Sequence, residues 1–79
     1  MIDYKETLAN IAKAIVDEPD KVTVTETEND SGHITLELSV APDDMGKVIG
    51  KHGRIAQAIR QIIKTASAGS GKKITVDIR

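Results

Sequence analysis

The sequence predicts an α+β sandwich, with three helices packed on one face of a three-stranded sheet in the order α-β-β-α-α-β. Three observations carry that prediction. Apolar residues recur at helical spacing near the N-terminus and again beyond residue 54. Strict two-residue alternation occupies three short stretches, and Gly, Pro, Asn or Asp marks the boundaries between them. At 79 residues the chain holds one domain, spanning 1–79. A chain of this size buries only about 60% of the surface that its unfolded form exposes, so pairing with a second copy is expected.

From Tyr4 the apolar positions Tyr4, Leu8, Ile11 and Ile15 follow at spacings of 4, 3 and 4, one stripe along a helix over 3–17. Asp3 and Glu6 stand where an N-cap and its reciprocal partner sit, and Pro19 ends the pattern. Val22 and Val24 then alternate with Thr23 and Thr25. After the turn cluster Asn29-Asp30-Ser31-Gly32, the residues Ile34, Leu36, Leu38 and Val40 alternate with Thr35, Glu37 and Ser39. The two runs form a hairpin with one wet and one buried face. Ala41-Pro42-Asp43-Asp44 closes it, and proline with two carboxylates favours a helix start by capping. A very short helix over 43–49 follows. Arg54 opens a longer helix to about Ser67, with Ile55, Ile59, Ile62 and Ile63 expected inward and Arg54, Gln57, Arg60, Gln61 and Lys64 outward. Ala68-Gly69-Ser70-Gly71 is a loop, and Ile74, Val76 and Ile78 alternate as the last strand.

Composition narrows the chemistry. Cysteine is absent, which excludes a disulfide scaffold, a thiolate nucleophile and cysteine-ligated zinc. His33 and His52 stand far apart with no His-x-Glu pattern beside either, so no metal or other cofactor is expected. With 11 Ile, 6 Val and 3 Leu but Tyr4 as the one aromatic, the core must be aliphatic. The same scarcity removes nucleic-acid readers that stack bases on rings. Apolar runs are short, and Met1-Ile2-Asp3-Tyr4-Lys5-Glu6 shows no basic stretch followed by an apolar core. A cytoplasmic protein without a membrane partner is expected.

A net charge of −1 hides a strong asymmetry. Residues 1–44 carry three basic against eleven acidic side chains, a net of −8, whereas residues 45–79 carry eight basic against Asp77 alone, a net of +7. The basic half invites an anionic partner; alternatively, the two halves neutralise each other within the fold or in a dimer.

The segment Val48-Ile49-Gly50-Lys51-His52-Gly53-Arg54-Ile55 lies between two predicted helices. Glycine at each end of the turn admits positive φ and lets an external group approach without meeting a Cβ. The helix that follows points its unpaired N–H groups and positive dipole end at the turn. Lys51, His52 and Arg54 surround that point with donors, and an anionic backbone fits there. Lys47, Arg60 and Lys64 extend it as a flanking electrostatic track or are simply a solvated face. Lys72 and Lys73 read more readily as protection of a strand edge. Two nucleotide-binding motifs fail. Gly46 to His52 is one residue short of a Walker A loop and lacks its hydroxyl, and Gly71-Lys72-Lys73 has Ala66 where the first glycine belongs. No nucleophile–base pair is evident, so an enzyme is not expected.

In these residues the chain resembles the KH family, whose hallmark is a G-x-x-G loop joining two helices and clamping about four nucleotides of single-stranded nucleic acid. The string from Val48 to Ile55 is similar to the family's I-G-x-x-G pattern, and the element order is that of the type II KH fold. Length and the segment Gly50 to Arg60 resemble the small bacterial KhpA (YlqC) family of stand-alone RNA-binding proteins. That resemblance implies single-stranded RNA as ligand, homodimers, a KhpB-type KH-containing partner, and a role as post-transcriptional regulator or RNA chaperone. It places Gly50, Lys51, His52 and Gly53 on the sugar-phosphate backbone and draws the aliphatic floor under the bases from among Val48, Ile49 and Ile55, some of which belong to the core; Arg54, Lys47 and Arg60 stand beside them as cations. The hairpin loop from Asn29 to Gly32 would be the family's variable loop, short and acidic here. Two other classes stand beside RNA binding: a protein–protein interaction module with RNA binding secondary, and single-stranded DNA binding through the same backbone clamp.

Overall fold

Local chemistry at the first helix sets its start. In the computed structural model, which describes residues 3–79, Asp3 accepts a hydrogen bond from the Glu6 amide at 3.1 Å and caps α1, Tyr4–Ile15. The leaderless N-terminus read from the sequence begins with Met1 and Ile2, which lie outside the described residues. A 3₁₀ turn at Pro19–Lys21 leads into β1, Thr23–Glu28, and the hairpin returns as β2, Ile34–Ser39. Asn29 shapes the hairpin loop. Its Oδ1 accepts from the Ser31 amide at 3.0 Å and the His33 amide at 2.9 Å, the side-chain mimicry of a turn that asparagine favours. The remaining elements are α2, Met45–Ile49; α3, Arg54–Ser67; and β3, Ile74–Ile78.

The sheet order is β1-β2-β3, with β1 antiparallel and β3 parallel to β2. Register sorts the residues by face. Val24 lies opposite Leu38, and Leu36 opposite Val76, on the helix side; Thr25 lies opposite Glu37, and Thr35 opposite Thr75, on the other. The helical layer covers only part of the first face, so Glu26 and Glu28 of edge strand β1 share it with Leu36 and Ile34 yet are exposed. Inward-facing charge on an edge strand opposes sheet-to-sheet association. Leu8, Ala12, Leu36, Leu38, Val48, Ile59 and Ile63 form the buried centre, with Val16, Val22, Val40 and Val76 around it. The architecture is the expected one, three helices on one face of a three-stranded mixed sheet. Among the described residues, no helix is long and apolar enough to cross a membrane.

Two local expectations are corrected. The inward stripe of α3 is Ala56, Ile59, Ile63 and Ser67; Ile55 is 38% exposed and Ile62 is 49% exposed. Ala56, Ile59, Ile63 and Ser67 follow one another at spacings of 3, 4 and 4, and Ile55 and Ile62 lie one residue before that stripe, to its side. The second correction concerns the carboxylates before α2. Asp43 is exposed, and Asp44 makes no capping bond to its own helix. Asp44 is instead 1% exposed and accepts from the Asp17 amide at 3.2 Å and the Glu18 amide at 3.0 Å, satisfying the chain just after α1. Lys47 completes the cluster, bonding Asp17 and lying 3.4 Å from Asp44. α1 and α2 are thus joined through one buried carboxylate.

Burial raises the Asp44 pKa, but the Asp17 and Glu18 amides and Lys47 outweigh it, and the net shift is downward. A depressed carboxyl pKa contributes stability that is complete above the unfolded value of about 3.9 and is lost as pH falls through the folded value. Asp44→Asn keeps the shape but not the charge. It should lower the melting temperature at pH 7 by on the order of 5–10 °C. The deficit should narrow as pH falls below about 3.9, where the unfolded chain's carboxyl takes up a proton while the folded one stays ionised, and close as pH passes through the lowered folded value. Thermal melts followed by circular dichroism between pH 3 and pH 7 measure both effects.

Candidate nucleic-acid interface

α2 stops because Gly50 takes φ 74° and ψ 173°, a region that essentially only glycine occupies. Its amide donates to the Gly46 carbonyl at 2.8 Å, closing α2, and its own carbonyl accepts from the Gly53 amide at 3.1 Å. Lys51–Gly53 form a single 3₁₀ turn, and Gly53, at φ 74° and ψ 14°, sits left-handed at the start of α3. His52 is also left-handed, at φ 58°, a conformation in which histidine is among the more tolerant residues.

The two glycines do different work. A Cβ on Gly50 would run into Cγ1 of Ile55 and lie 2.9 Å from its Cβ, so glycine there lets the first turn of α3 close onto the end of α2. A Cβ on Gly53 meets nothing within 4 Å. That side of the turn is open.

What the turn presents is cationic and unpartnered. Lys51, His52 and Arg54 are exposed, and none joins an ion pair among the described residues. No side chain caps the N-terminus of α3, and no acidic residue stands in its first turn. The 14-residue helix therefore keeps its positive dipole end for an outside anion. Ile49, the last residue of α2, and Ile55, the second of α3, are each 38% exposed and flank the turn with aliphatic surface.

The other expected contacts are disposed differently. Arg60 leans from α3 onto β3, its Nε donating to the Val76 carbonyl at 3.3 Å. The Lys73 carbonyl and the Arg79 amide bond to β2, so by parity the backbone groups of Ile74, Val76 and Ile78 face the free edge of β3. Arg60 thus spans from the helix to that edge. Lys47 is spoken for: its hydrogen bond to Asp17 raises its pKa and fixes its charge inside the Asp44 cluster. A cavity of about 640 Å³ lies elsewhere, near the far end of α3, and Asp3, Glu26 and Glu28 line it. Those carboxylates make it a poor seat for a phosphate chain. The buried role of Asp44 was missed in the sequence. Its one signal was the three-residue spacing to Lys47, and nothing local revealed that the amides after α1 would point at it.

Residues 5–78 match the model of the KhpA/KhpB KH domain. The chain belongs to this family. It is similar to RNA-binding protein KhpA of Clostridium acetobutylicum, with 54% identity over 94% of this chain and 97% of that one. It is also similar to RNA-binding protein KhpA of Caldanaerobacter subterraneus, with 55% identity over 92% and 96%. Among solved structures it resembles Era in complex with MgGDPNP and nucleotides 1506-1542 of 16S ribosomal RNA. That likeness has a TM-score of 0.60 at 16% identity, over 95% of this chain and 28% of Era, and concerns the fold alone. The fold is a type II KH domain, as the element order implied.

The asymmetry between the glycines is measurable. Gly53→Ala should cost about 1–2 kcal/mol, the left-handed penalty for a residue with a Cβ and open space around it. Gly50→Ala should cost about 3 kcal/mol or more, since overlap with Ile55 adds to backbone strain. Urea unfolding of the two variants gives both numbers, and equal losses would contradict the Ile55 contact.

Proposed function

We propose that the protein binds single-stranded RNA across the Gly50–Gly53 turn. Main-chain amides of the turn, Lys51, His52 and Arg54 hold the phosphates, and Ile49 with neighbouring aliphatic groups supports the bases. The observation that carries this is the open, cationic, uncapped mouth of α3 beside Gly53. The relatives named RNA-binding protein KhpA support RNA over DNA as the ligand. Arg60 serves as a flanking contact, and Lys47 places α2 rather than touching phosphate. In the cell the protein acts in the cytoplasm as a post-transcriptional regulator or RNA chaperone, and residues 1–79 form one KH domain. Lys51→Asp with His52→Asp tests the clamp without disturbing the fold, because aspartate tolerates the left-handed position of His52. The double variant should melt like the parent and lose RNA binding. For the parent, three or four engaged phosphates give a slope of log K against log salt of about −2 to −3. Fluorescence anisotropy with an oligoribonucleotide reads both, and unchanged binding by the folded double variant removes the turn from the mechanism.

The protein works as a homodimer or with a KhpB-type KH protein. The surface that favours pairing is the apolar flank of α3, where Ala58, Ile62, Thr65 and Ala66 line a shallow cavity and Ile62 is 49% exposed. The same strip favours the second reading, a protein–protein module with RNA binding secondary. Ile62→Lys should shift the protein from dimer to monomer in sedimentation experiments while its thermal stability changes little, since the side chain is not part of the buried centre. A parent that sediments as a monomer excludes the dimer.

A further inference from the structure

The helical layer leaves part of its sheet face uncovered, and the cavity of about 640 Å³ opens there. Tyr4, at the start of α1, donates its hydroxyl to the Ala66 carbonyl near the end of α3 at 3.3 Å, so the two helix ends close one side of it. Ile34, 6% exposed, lies in its lining with Tyr4 and Ala66. Strand register sets Glu28 opposite Ile34 and Glu26 opposite Leu36, on the side of the sheet that the helices occupy, and Asp3 joins them from the cap of α1. The result is an apolar trough rimmed by three carboxylates. All three are exposed, and none joins an ion pair among the described residues. Lys72 is the one cation in the lining. The opposite end of α3 carries the complement: Lys51, His52 and Arg54, exposed and unpaired, beside the aliphatic surface of Ile49 and Ile55. Turn and trough cannot meet within one molecule, because Arg54 and Ala66 stand twelve residues apart on one continuous helix, a separation of about 18 Å.

We propose that the turn of one copy docks in the acidic trough of a second copy, head to tail, so that self-association and RNA compete for the same side chains. The stems of Lys51 and Arg54 lie along Tyr4, Ile34 and Ala66 while their charged ends meet Asp3, Glu26 and Glu28. Turn and trough are different patches, so each docked pair leaves one of each free, and the contact adds further copies where an isologous dimer would close. Exposed charges on both sides make it weak and sensitive to salt. A phosphate chain at the turn displaces the carboxylates and releases the copies from one another. The competition rests on the RNA-binding reading of the turn, whereas the docking itself stands on charge and shape alone.

Sedimentation equilibrium of the full chain with a charge swap tests this. At about 50 mM salt the parent's average mass should climb with concentration past that of a dimer, and at about 500 mM salt it should fall back. Glu26→Lys/Glu28→Lys and Lys51→Asp/His52→Asp, all at exposed positions, should each lose that growth. Mixed in equal amounts they should regain it, since the reversed trough of one accepts the reversed turn of the other. An excess of an oligouridylate of about four nucleotides, the length a G-x-x-G turn clamps, should bring the parent at low salt to its high-salt mass. A parent that never exceeds a dimer at low salt, or a mixture that keeps the mass of its separate components, overturns the docking and leaves RNA binding standing. Growth that persists with RNA bound at the turn overturns the shared use of those side chains. Growth and rescue by the swap in a protein that binds no oligouridylate uphold the docking and overturn the RNA reading.

Discussion

The close approach of Ile55 to Gly50 is the contact on which the corner between α2 and α3 depends. With a side chain at 50, α2 and α3 could not meet at their present angle, because the first turn of α3 occupies the space a Cβ would fill. That angle decides three things together. It pushes Lys51 and His52 out as the tip of a corner, and it leaves the start of α3 without a side-chain cap. It also turns the Arg60 flank toward β3 and the Ile62 flank away from it. The left-handed backbone at His52 and Gly53 is the local strain that a one-turn reversal between two helices requires. The signature spacing of two glycines therefore has two separate physical causes. One is packing, at Gly50; the other is backbone conformation with open access, at Gly53.

Asp44 secures the same corner from behind. Removing a carboxylate from water is costly unless its oxygens are filled, and here two backbone amides and one ammonium fill them. The amides belong to the segment leaving α1, so the start of α2 is tied to the N-terminal half of the chain. Lys47 shows how a local charge count misleads. Its spacing from Lys51 and Arg54 groups it with a basic track, yet its ammonium is absorbed by two aspartates from the acidic half. Part of the charge asymmetry along the sequence is thus neutralised within the fold, at the base of the corner. The part left open lies at the turn and along the β3 side of α3.

The element order, the sheet and the position of the turn were legible because each depends on a short-range pattern: alternation in β2 and β3, the Asp3 cap of α1, glycines bracketing the corner. What was not legible depended on how closely layers approach. The spacing of Ile55, Ile59 and Ile62 is a valid helical stripe, and it competes with the stripe of Ala56, Ile59 and Ile63, one residue further on. Apolar content alone ranks the first higher. The fold buries the second, with Ala56, Ile59 and Ile63 nearly inaccessible while Ile55 and Ile62 stay exposed. The expected clamp residues Gly50, Lys51, His52, Gly53 and Arg54 do fall together at one corner, since they are contiguous. Arg60 and Lys47 are set by tertiary partners, Val76 for one and Asp44 with Asp17 for the other, which no sequence window contains.

The sheet face away from the helices completes the reasoning about how a strand can be held. In several RNA-binding folds that face carries the aromatic rings on which bases stack. Here it displays Thr25, Thr27, Thr35 and Thr75, with Glu37 and Asp77 paired to Arg79. Threonine offers no platform, and carboxylates repel phosphate, so this face contributes nothing to polyanion binding. The helix side offers different chemistry: main-chain amides, ammonium and guanidinium groups, and aliphatic patches. None of these discriminates strongly among bases, whereas all respond to the regular charge of the backbone. Under the proposed reading, such a surface favours contact with the phosphates over readout of the base edges.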